Sequence, residues 1–237
     1  MGQSLKQPDM LLTGVPRSGT TLVNSLFHSP PEQYMFYERN LNVNLYELDD
    51  FIKCGKWGAK QINVPAVHRF LANWKPRKIV CLVRSLQDCY LSYIVRAMDH
   101  YQHESKKIQM KEISMRIQMV SQMANLMCEA KEKGGLVTKE YRLPVDLWVR
   151  YEDFVTNPEE EMGRIEEVTG WGMGGSPTFY FDDKYNSLPR EREVKLHSGK
   201  ITSKAINRYS ELKDGMLKKS TGLVNEQRYM SLFYPEK

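Results

Sequence analysis

The segment Gly14–Thr21 (GVPRSGTT) is the feature that most constrains how this chain can fold. It has the spacing of a phosphate-binding P-loop, and the apolar run Met10–Leu12 just before it is typical of a buried parallel strand. Residues 20–28 can follow as a helix, which the next Ser-Pro-Pro ends. A strand, a tight turn and a helix N-terminus direct the N–H groups of residues 18–21 onto one anion. The segment therefore predicts an α/β fold with an anion site.

The position of the positive charge in this loop differs from that in loops that bind Mg-ATP. Thr20 stands where those loops carry the lysine that contacts the transferring phosphoryl group. The charge lies inside the loop instead, at Arg17. This pattern predicts an anion site that does not suit Mg-ATP chemistry. A glycine turn without a ligand is the alternative interpretation.

Apolar runs alternate with helical patterns along the rest of the chain. Further strands are predicted at 34–37, 58–60 (within a loop, 56–65), 78–84 and 146–150. Further helices are predicted at 40–53, 67–74, 85–98, 104–133 and 158–169, with Ser85 and Asp88 forming a capping box. This alternation predicts an α/β, three-layer, P-loop NTPase-like fold, with a central parallel sheet and helices on both faces. Residues 1–237 are expected to form a single domain.

Composition excludes several classes of protein. The formal charge of +5 is mild and no dense basic block is present, so no nucleic-acid partner is expected. No apolar run approaches the roughly 18–20 residues that span a bilayer, and the polar segment Met1–Asp9 does not resemble a signal peptide. The cysteines lack CxxC spacing. We therefore expect a cytoplasmic protein without a membrane partner, and the oligomeric state stays open.

A second candidate anion site follows the most apolar strand. Arg84 comes at the carboxyl end of that strand, and Ser92 and Arg96 share one face of the next predicted helix. Guanidinium groups bind phosphate bidentately, and a hydroxyl can complete the site. The alternative is a surface salt bridge at Arg84 and a helix-packing serine.

These two motifs, together with the segment Trp148–Pro158, resemble the sulfotransferase family, whose members transfer a sulfuryl group from PAPS (3′-phosphoadenosine 5′-phosphosulfate). The form VPRSGTTL is nearest to the tyrosylprotein sulfotransferase branch, and the resemblance covers roughly residues 10–210. It implies PAPS as the donor, PAP as the product and no required metal. It also implies that the 3′-phosphate is held by Arg84 and Ser92. The P-loop residues that it assigns to the nucleotide are Arg17, Ser18, Gly19, Thr20 and Thr21.

The resemblance also implies the catalytic groups. The segment 60–65 lacks the histidine base of the family's cytosolic members, whereas Glu38 has the spacing from Arg17 of the glutamate base in the tyrosylprotein branch. Glu38 is expected to take the proton of the acceptor hydroxyl, while Arg17 and Lys60 offset charge on the leaving phosphate. The alternatives are a surface glutamate and a solvated lysine.

Three more residues are assigned to the nucleotide by resemblance. Tyr151 matches the tyrosine of the family's YE motif, which lies against the nucleotide, although an aromatic at this position could simply pack. Arg208 matches a nucleotide-binding lysine in a basic segment that closes over PAPS, and Ser198 is the candidate for the assisting serine. The alternative for Lys200, Lys204 and Arg208 is a solvated helix face.

The acceptor is not specified by these motifs. A hydroxyl on a small molecule, a sugar or a tyrosine fits, but Asn40 and Asn44 replace the arginines that read acidic peptides in the tyrosylprotein branch, so peptide tyrosine is not favoured. The alternatives are a P-loop kinase of a small metabolite and an anion-binding module without catalysis. In the leading hypothesis, two separate cationic pockets, around Arg17 and Arg84, bind opposite ends of one nucleotide.

Overall fold

The computed structural model describes most of the chain, in six ranges. These are residues 7–27, 33–36, 55–101, 103–138, 140–172 and 226–235, with the backbone alone at 96–100. The predicted helix at 40–53 and the candidate residues Glu38, Ser198 and Arg208 lie outside the described residues, as do Lys200 and Lys204.

A five-stranded sheet forms the centre of the described structure. Its order is β2-β3-β1-β4-β7, and all four pairings are parallel. A short antiparallel pair, β5 and β6, stands apart from it. The strands are β1 Met10–Gly14, β2 Gln33–Phe36, β3 Lys56–Gln61, β4 Lys78–Val83, β5 Leu136–Val137, β6 Arg142–Leu143 and β7 Leu147–Arg150.

Helices cover both faces of this sheet, which confirms the predicted fold class. One apolar cluster lies between the sheet and α2, α3, α4 and α7, and a second lies between the sheet and α1, α5 and α6. The helices are α1 Thr20–Phe27, α2 Val64–Asn73, α3 Leu86–His100, α4 Lys106–Lys133, α5 Tyr151–Thr156, α6 Pro158–Thr169 and α7 Glu226–Phe233.

Strand β3 is more extensive than its sequence indicates. The pattern predicts a brief strand at residues 58–60, whereas β3 runs from Lys56 to Gln61 and pairs with both β1 and β2. Lys60 and Gln61 are only 2% and 1% exposed, although both are polar. Ligands of open α/β sheets bind at the carboxyl ends of the strands, so two buried polar residues at this end of an inner strand indicate a binding site there.

Side-chain caps explain two helix boundaries. The Asn63 side chain accepts the Ala66 N–H at 2.9 Å, so α2 begins at Val64, before the predicted start at residue 67. The capping box predicted from Ser85 and Asp88 is replaced: the Ser85 N–H donates to Glu152 at 3.0 Å, and Asp88 pairs with Arg84. The start of α3 is therefore tied to α5, which the sequence pattern does not predict.

None of the helices within the described ranges combines the length and the apolar character needed to cross a membrane.

We expect Gly58→Ala to destabilise the sheet. A Cβ atom at Gly58 would lie 2.7 Å from the Met10 carbonyl oxygen and 2.8 Å from the Met35 sulfur. Relieving that overlap should lower the free energy of unfolding by about 1–3 kcal/mol, measured by urea denaturation. Gly163→Ala is the control: it has open space within α6 and should stabilise by about 0.5–1 kcal/mol. Equal effects of the two substitutions would contradict the packing of β3.

Candidate active site

The P-loop connects the end of β1 to the start of α1. Arg17 and Gly19 both have positive φ, at 73° and 84°, so two residues of this tight turn are left-handed. The Ser18 N–H donates to the Val15 carbonyl at 3.0 Å, so this amide stabilises the turn itself, contrary to its predicted role in binding an anion. The first-turn amides of α1 lack partners within the helix and remain the candidate anion donors. The Ser18 hydroxyl is fully buried and has no hydrogen-bond partner in the part of the chain that the structure describes.

Arg17 links the loop to α3. Its Nε donates to the Ser92 hydroxyl at 2.9 Å, and its backbone carbonyl accepts from Arg84 NH1 at 3.1 Å. The sequence predicts two pockets, with Arg17 in one and Arg84 and Ser92 in the other. The structure instead joins all three residues in one continuous polar cluster at the carboxyl edge of the sheet.

Arg84 is a nearly buried cation, with 5% of its surface exposed. Its NH2 lies 3.4 Å from Asp88 Oδ2, and its guanidinium carbon lies 4.5 Å from the centroid of the Tyr151 ring. The alternative interpretation of Arg84, a surface salt bridge, is wrong because the residue is buried. Asp88 and the ring offset the cost of removing the charge from water.

Tyr151 packs against the P-loop as well as against Arg84. A Cβ atom on Gly19 would lie 2.4 Å from Tyr151 Cδ2, so the ring lies directly against the glycine backbone. Burial raises the pKa of the Tyr151 hydroxyl above its usual value, and the hydroxyl is therefore neutral at physiological pH. The ring thus has a packing role in this structure; its contact with a nucleotide remains a prediction.

Lys60 brings a second cation to the loop. It is 2% exposed, and its Nζ donates to the Thr21 hydroxyl at 2.9 Å, from β3 across to the first turn of α1. The solvated-lysine interpretation is therefore wrong. Because Lys60 and the loop approach from neighbouring strands, their separation is fixed by the β1–β3 pairing.

The position of Arg96 is described only by its backbone, on α3, one turn after Ser92. The proximity of Glu38, Ser198 and Arg208 to the cluster remains a prediction, since these residues lie outside the described ranges.

Five residues around the site were not predicted from the sequence as parts of it. Tyr229, on α7, exchanges hydrogen bonds with the Arg84 backbone, and Tyr234 donates to Glu152 Oε2 at 2.8 Å. Arg116, on α4, lies 5.6 Å from the centroid of the Tyr93 ring, which is also 5.8 Å from the Arg17 guanidinium. Glu152 could have been found as the second residue of the YE motif, whereas the tyrosines and Arg116 carry no sequence signal.

Cys89 lies in the core beneath the cluster. Burial raises the pKa of its thiol to about 12, and the nearby Arg84 charge only partly counteracts that effect. The thiol is therefore protonated at neutral pH and is not a nucleophile. Within the described ranges, no group of three histidine, cysteine or acidic side chains is placed to hold a metal ion.

Comparison with known proteins gives a consistent result. The family model of the sulfotransferase domain matches residues 7–178. No curated protein sequence matches the chain. Among solved structures, the chain is similar to the sulfotransferase domain of the Synechococcus PCC 7002 olefin synthase, with 14% identity, a TM-score of 0.58, and coverage of 99% of this chain and 100% of that one.

Two further structures are similar. The sulfotransferase domain from the curacin biosynthetic pathway has 15% identity and a TM-score of 0.60, with coverage of 96% of this chain and 98% of that one. The mouse sulfotransferase SULT7A1, complexed with PAP, has 12% identity and a TM-score of 0.61, with coverage of 96% of this chain and 85% of that one. At such low identities the likeness shows the fold alone.

We expect Gly19→Ala to destabilise the protein by more than its backbone strain alone. Gly170→Ala is the matched control, because Gly170 also has positive φ, at 66°, but nothing lies within 4 Å of its added Cβ. The control should lose about 1–2 kcal/mol from left-handed strain, and Gly19→Ala a further 1–3 kcal/mol, roughly, from overlap with Tyr151. Urea denaturation of both variants measures the difference, and equal losses would show that Tyr151 does not pack on the loop.

Proposed function

Because the chain belongs to the sulfotransferase family and is a PAPS-dependent sulfotransferase, we propose that it sulfates an acceptor hydroxyl with Glu38 as the general base. The acceptor is a small molecule, a sugar or a tyrosine. The observation that carries the proposal is the cluster of Arg17, Lys60 and Arg84 around a P-loop that lacks the usual lysine.

The residues of this cluster fit a nucleotide with two separate anionic groups. Lys60 and Arg84 are cations with almost no exposure to water, and burying such charges is favourable only with anionic or strongly polar partners. Ser18 adds a buried hydroxyl that has no hydrogen-bond partner among the described residues. We assign the 5′-phosphosulfate of PAPS to the P-loop residues 17–21 and Lys60, and its 3′-phosphate to Arg84, Ser92 and Arg96.

The remaining contacts of the nucleotide are assigned by the family resemblance. Tyr151, Ser198 and Arg208 complete the nucleotide site in this proposal. Support for Tyr151 comes from its ring, which touches both Gly19 and Arg84 and so lies between the loop and the proposed 3′-phosphate site.

Bound PAPS supplies the sulfuryl group, whose bond to the 5′-phosphate oxygen breaks as the acceptor oxygen bonds to sulfur. Arg17 and Lys60 offset the charge that develops on the leaving phosphate and on the sulfuryl oxygens. Removal of one such group commonly costs about 3 kcal/mol of transition-state stabilisation. The Thr21 hydroxyl holds the Lys60 ammonium toward the loop, so this stabilising charge is oriented before the reaction.

Glu38 removes the proton of the acceptor hydroxyl in this mechanism. It follows β2, which ends at Phe36 and pairs in parallel with β3, the strand that carries Lys60. The carboxyl ends of parallel strands meet at one edge of a sheet, and the P-loop leaves β1 at that same edge. Strand order therefore supports the placement of a base beside the reacting groups.

We expect PAP to bind without a metal. Isothermal calorimetry in EDTA should show a stoichiometric complex with PAP, because the protein's own cations neutralise both phosphates. ATP with Mg²⁺ should bind more weakly. The converse result, a preference for ATP with Mg²⁺, would contradict the proposal and support a P-loop kinase.

Glu38→Gln should retain PAP affinity within about twofold and lose about 10²- to 10⁴-fold in turnover, since the amide cannot accept the proton. Turnover is measured with labelled PAPS and a panel of phenols, sugars and peptides. The control is Glu140→Gln, which neutralises an exposed carboxylate and should leave turnover unchanged. Unchanged turnover of Glu38→Gln on every accepted substrate would exclude Glu38 as the base.

A further inference from the structure

The junction between β4 and α3 consists of Arg84 and Ser85. β4 ends at Val83 and α3 begins at Leu86, so Arg84 and Ser85 belong to neither element. Arg84 is nearly buried, and an unpaired backbone group in such a place is costly. The hydrogen bonds that the backbone groups of Arg84 make are therefore important for the junction.

One tyrosine side chain on α7 makes hydrogen bonds to both backbone groups of Arg84. The Tyr229 hydroxyl accepts the Arg84 N–H at 3.3 Å and donates to the Arg84 carbonyl at 3.1 Å. Tyr229 is fully buried, and burial raises the pKa of its hydroxyl well above the usual value, so the proton is retained for donation. One side chain thus satisfies both backbone groups of the residue that presents the guanidinium.

A second tyrosine supports the neighbouring residue indirectly. Tyr234 donates to Glu152 Oε2 at 2.8 Å, and Glu152 Oε1 accepts the Ser85 N–H at 3.0 Å. α7 is itself fixed to α4, because Arg228 Nε donates to Glu132 Oε1 at 2.8 Å. Tyr229 on α7 thus holds Arg84 directly, and Tyr234, the residue after α7, supports Ser85 through Glu152.

We propose that α7, through Tyr229, is a positioning element that fixes Arg84 for the 3′-phosphate, so that selection of 3′-phosphorylated nucleotides depends on this helix. The inference rests on the proposed role of Arg84 in nucleotide binding. α7 lies beyond the residues matched by the family model. Without Tyr229 the backbone at residue 84 relaxes toward other partners, which displaces the base of the side chain that presents the guanidinium.

The test compares two nucleotides that differ only in the 3′-phosphate, PAP and 5′-AMP. Calorimetry on the full chain gives the ratio of their affinities. Tyr229→Phe should weaken PAP binding by about 5- to 20-fold, because two buried hydrogen bonds are lost at Arg84. Binding of 5′-AMP should change by less than about twofold, since that ligand does not use the 3′-phosphate site.

Tyr90→Phe is the matched control for a general loss of stability. Tyr90 is also a buried tyrosine of the same apolar cluster, but its hydroxyl bonds to the Ser121 hydroxyl, at 2.9 Å. It should change the affinity ratio by less than about twofold, whatever its effect on the melting temperature. Equal falls in the ratio for Tyr229→Phe and Tyr90→Phe would overturn the inference.

Tyr234→Phe covers the case in which Tyr229→Phe does not fold. This substitution removes only the hydrogen bond from Tyr234 to Glu152. The ratio of PAP to 5′-AMP affinity should therefore fall by a smaller factor, about two to five. Where Tyr229→Phe does not fold, an unchanged ratio in Tyr234→Phe overturns the inference. If the wild-type protein binds PAP more tightly than 5′-AMP and Tyr229→Phe keeps the same affinity ratio, the inference is overturned. The proposed nucleotide site is not affected by that result. A wild-type protein that binds both nucleotides equally overturns the proposed nucleotide site as well.

Discussion

The buried charge of Arg84 is the constraint on which the arrangement of the site depends. A guanidinium that is 5% exposed needs an anion, an acceptor and an aromatic face to offset its lost hydration. Asp88 supplies the anion from α3, the Arg17 carbonyl supplies the acceptor from the P-loop, and Tyr151 supplies the ring from the start of α5. Three segments that are distant in sequence are thus held around one cation. The hydrogen bond from Arg84 to the Arg17 carbonyl therefore helps to position the P-loop relative to β4, in addition to apolar packing.

Sequence patterns predict the fold where a local signal is strong. β4 is predicted to within one residue because it is a continuous apolar run between polar residues, and α6 is predicted exactly at Pro158–Thr169 because proline and glycine mark its ends. β3 is underestimated because its buried lysine and glutamine break the apolar pattern. α7 is not predicted at all, since its two buried aromatic residues, Tyr229 and Phe233, give too short a pattern to indicate a helix.

For the site, too, sequence patterns predict some features and not others. The polar residues that matter could be selected from motif spacing, and Arg17, Lys60 and Arg84 do lie at one edge of the sheet. The hydrogen bonds among site residues could not be predicted from motif spacing. The bond from Arg17 to Ser92 joins residues that are 75 apart in sequence, and it depends on the rotamer of Arg17. The family match supplies the class of reaction, whereas the choice of acceptor depends on surfaces that vary among proteins with this fold.

The contact between Tyr229 and Arg84 spans 145 residues, which has a consequence for the order of folding. A chain emerging from the ribosome can pair β1, β3 and β4 long before α7 is synthesised. At that stage the sheet edge exists, but the Arg84 backbone still bonds to water. Contacts of such sequence separation form slowly because a long segment must be closed first. Maturation of the nucleotide site is therefore expected to lag behind formation of the sheet that carries it.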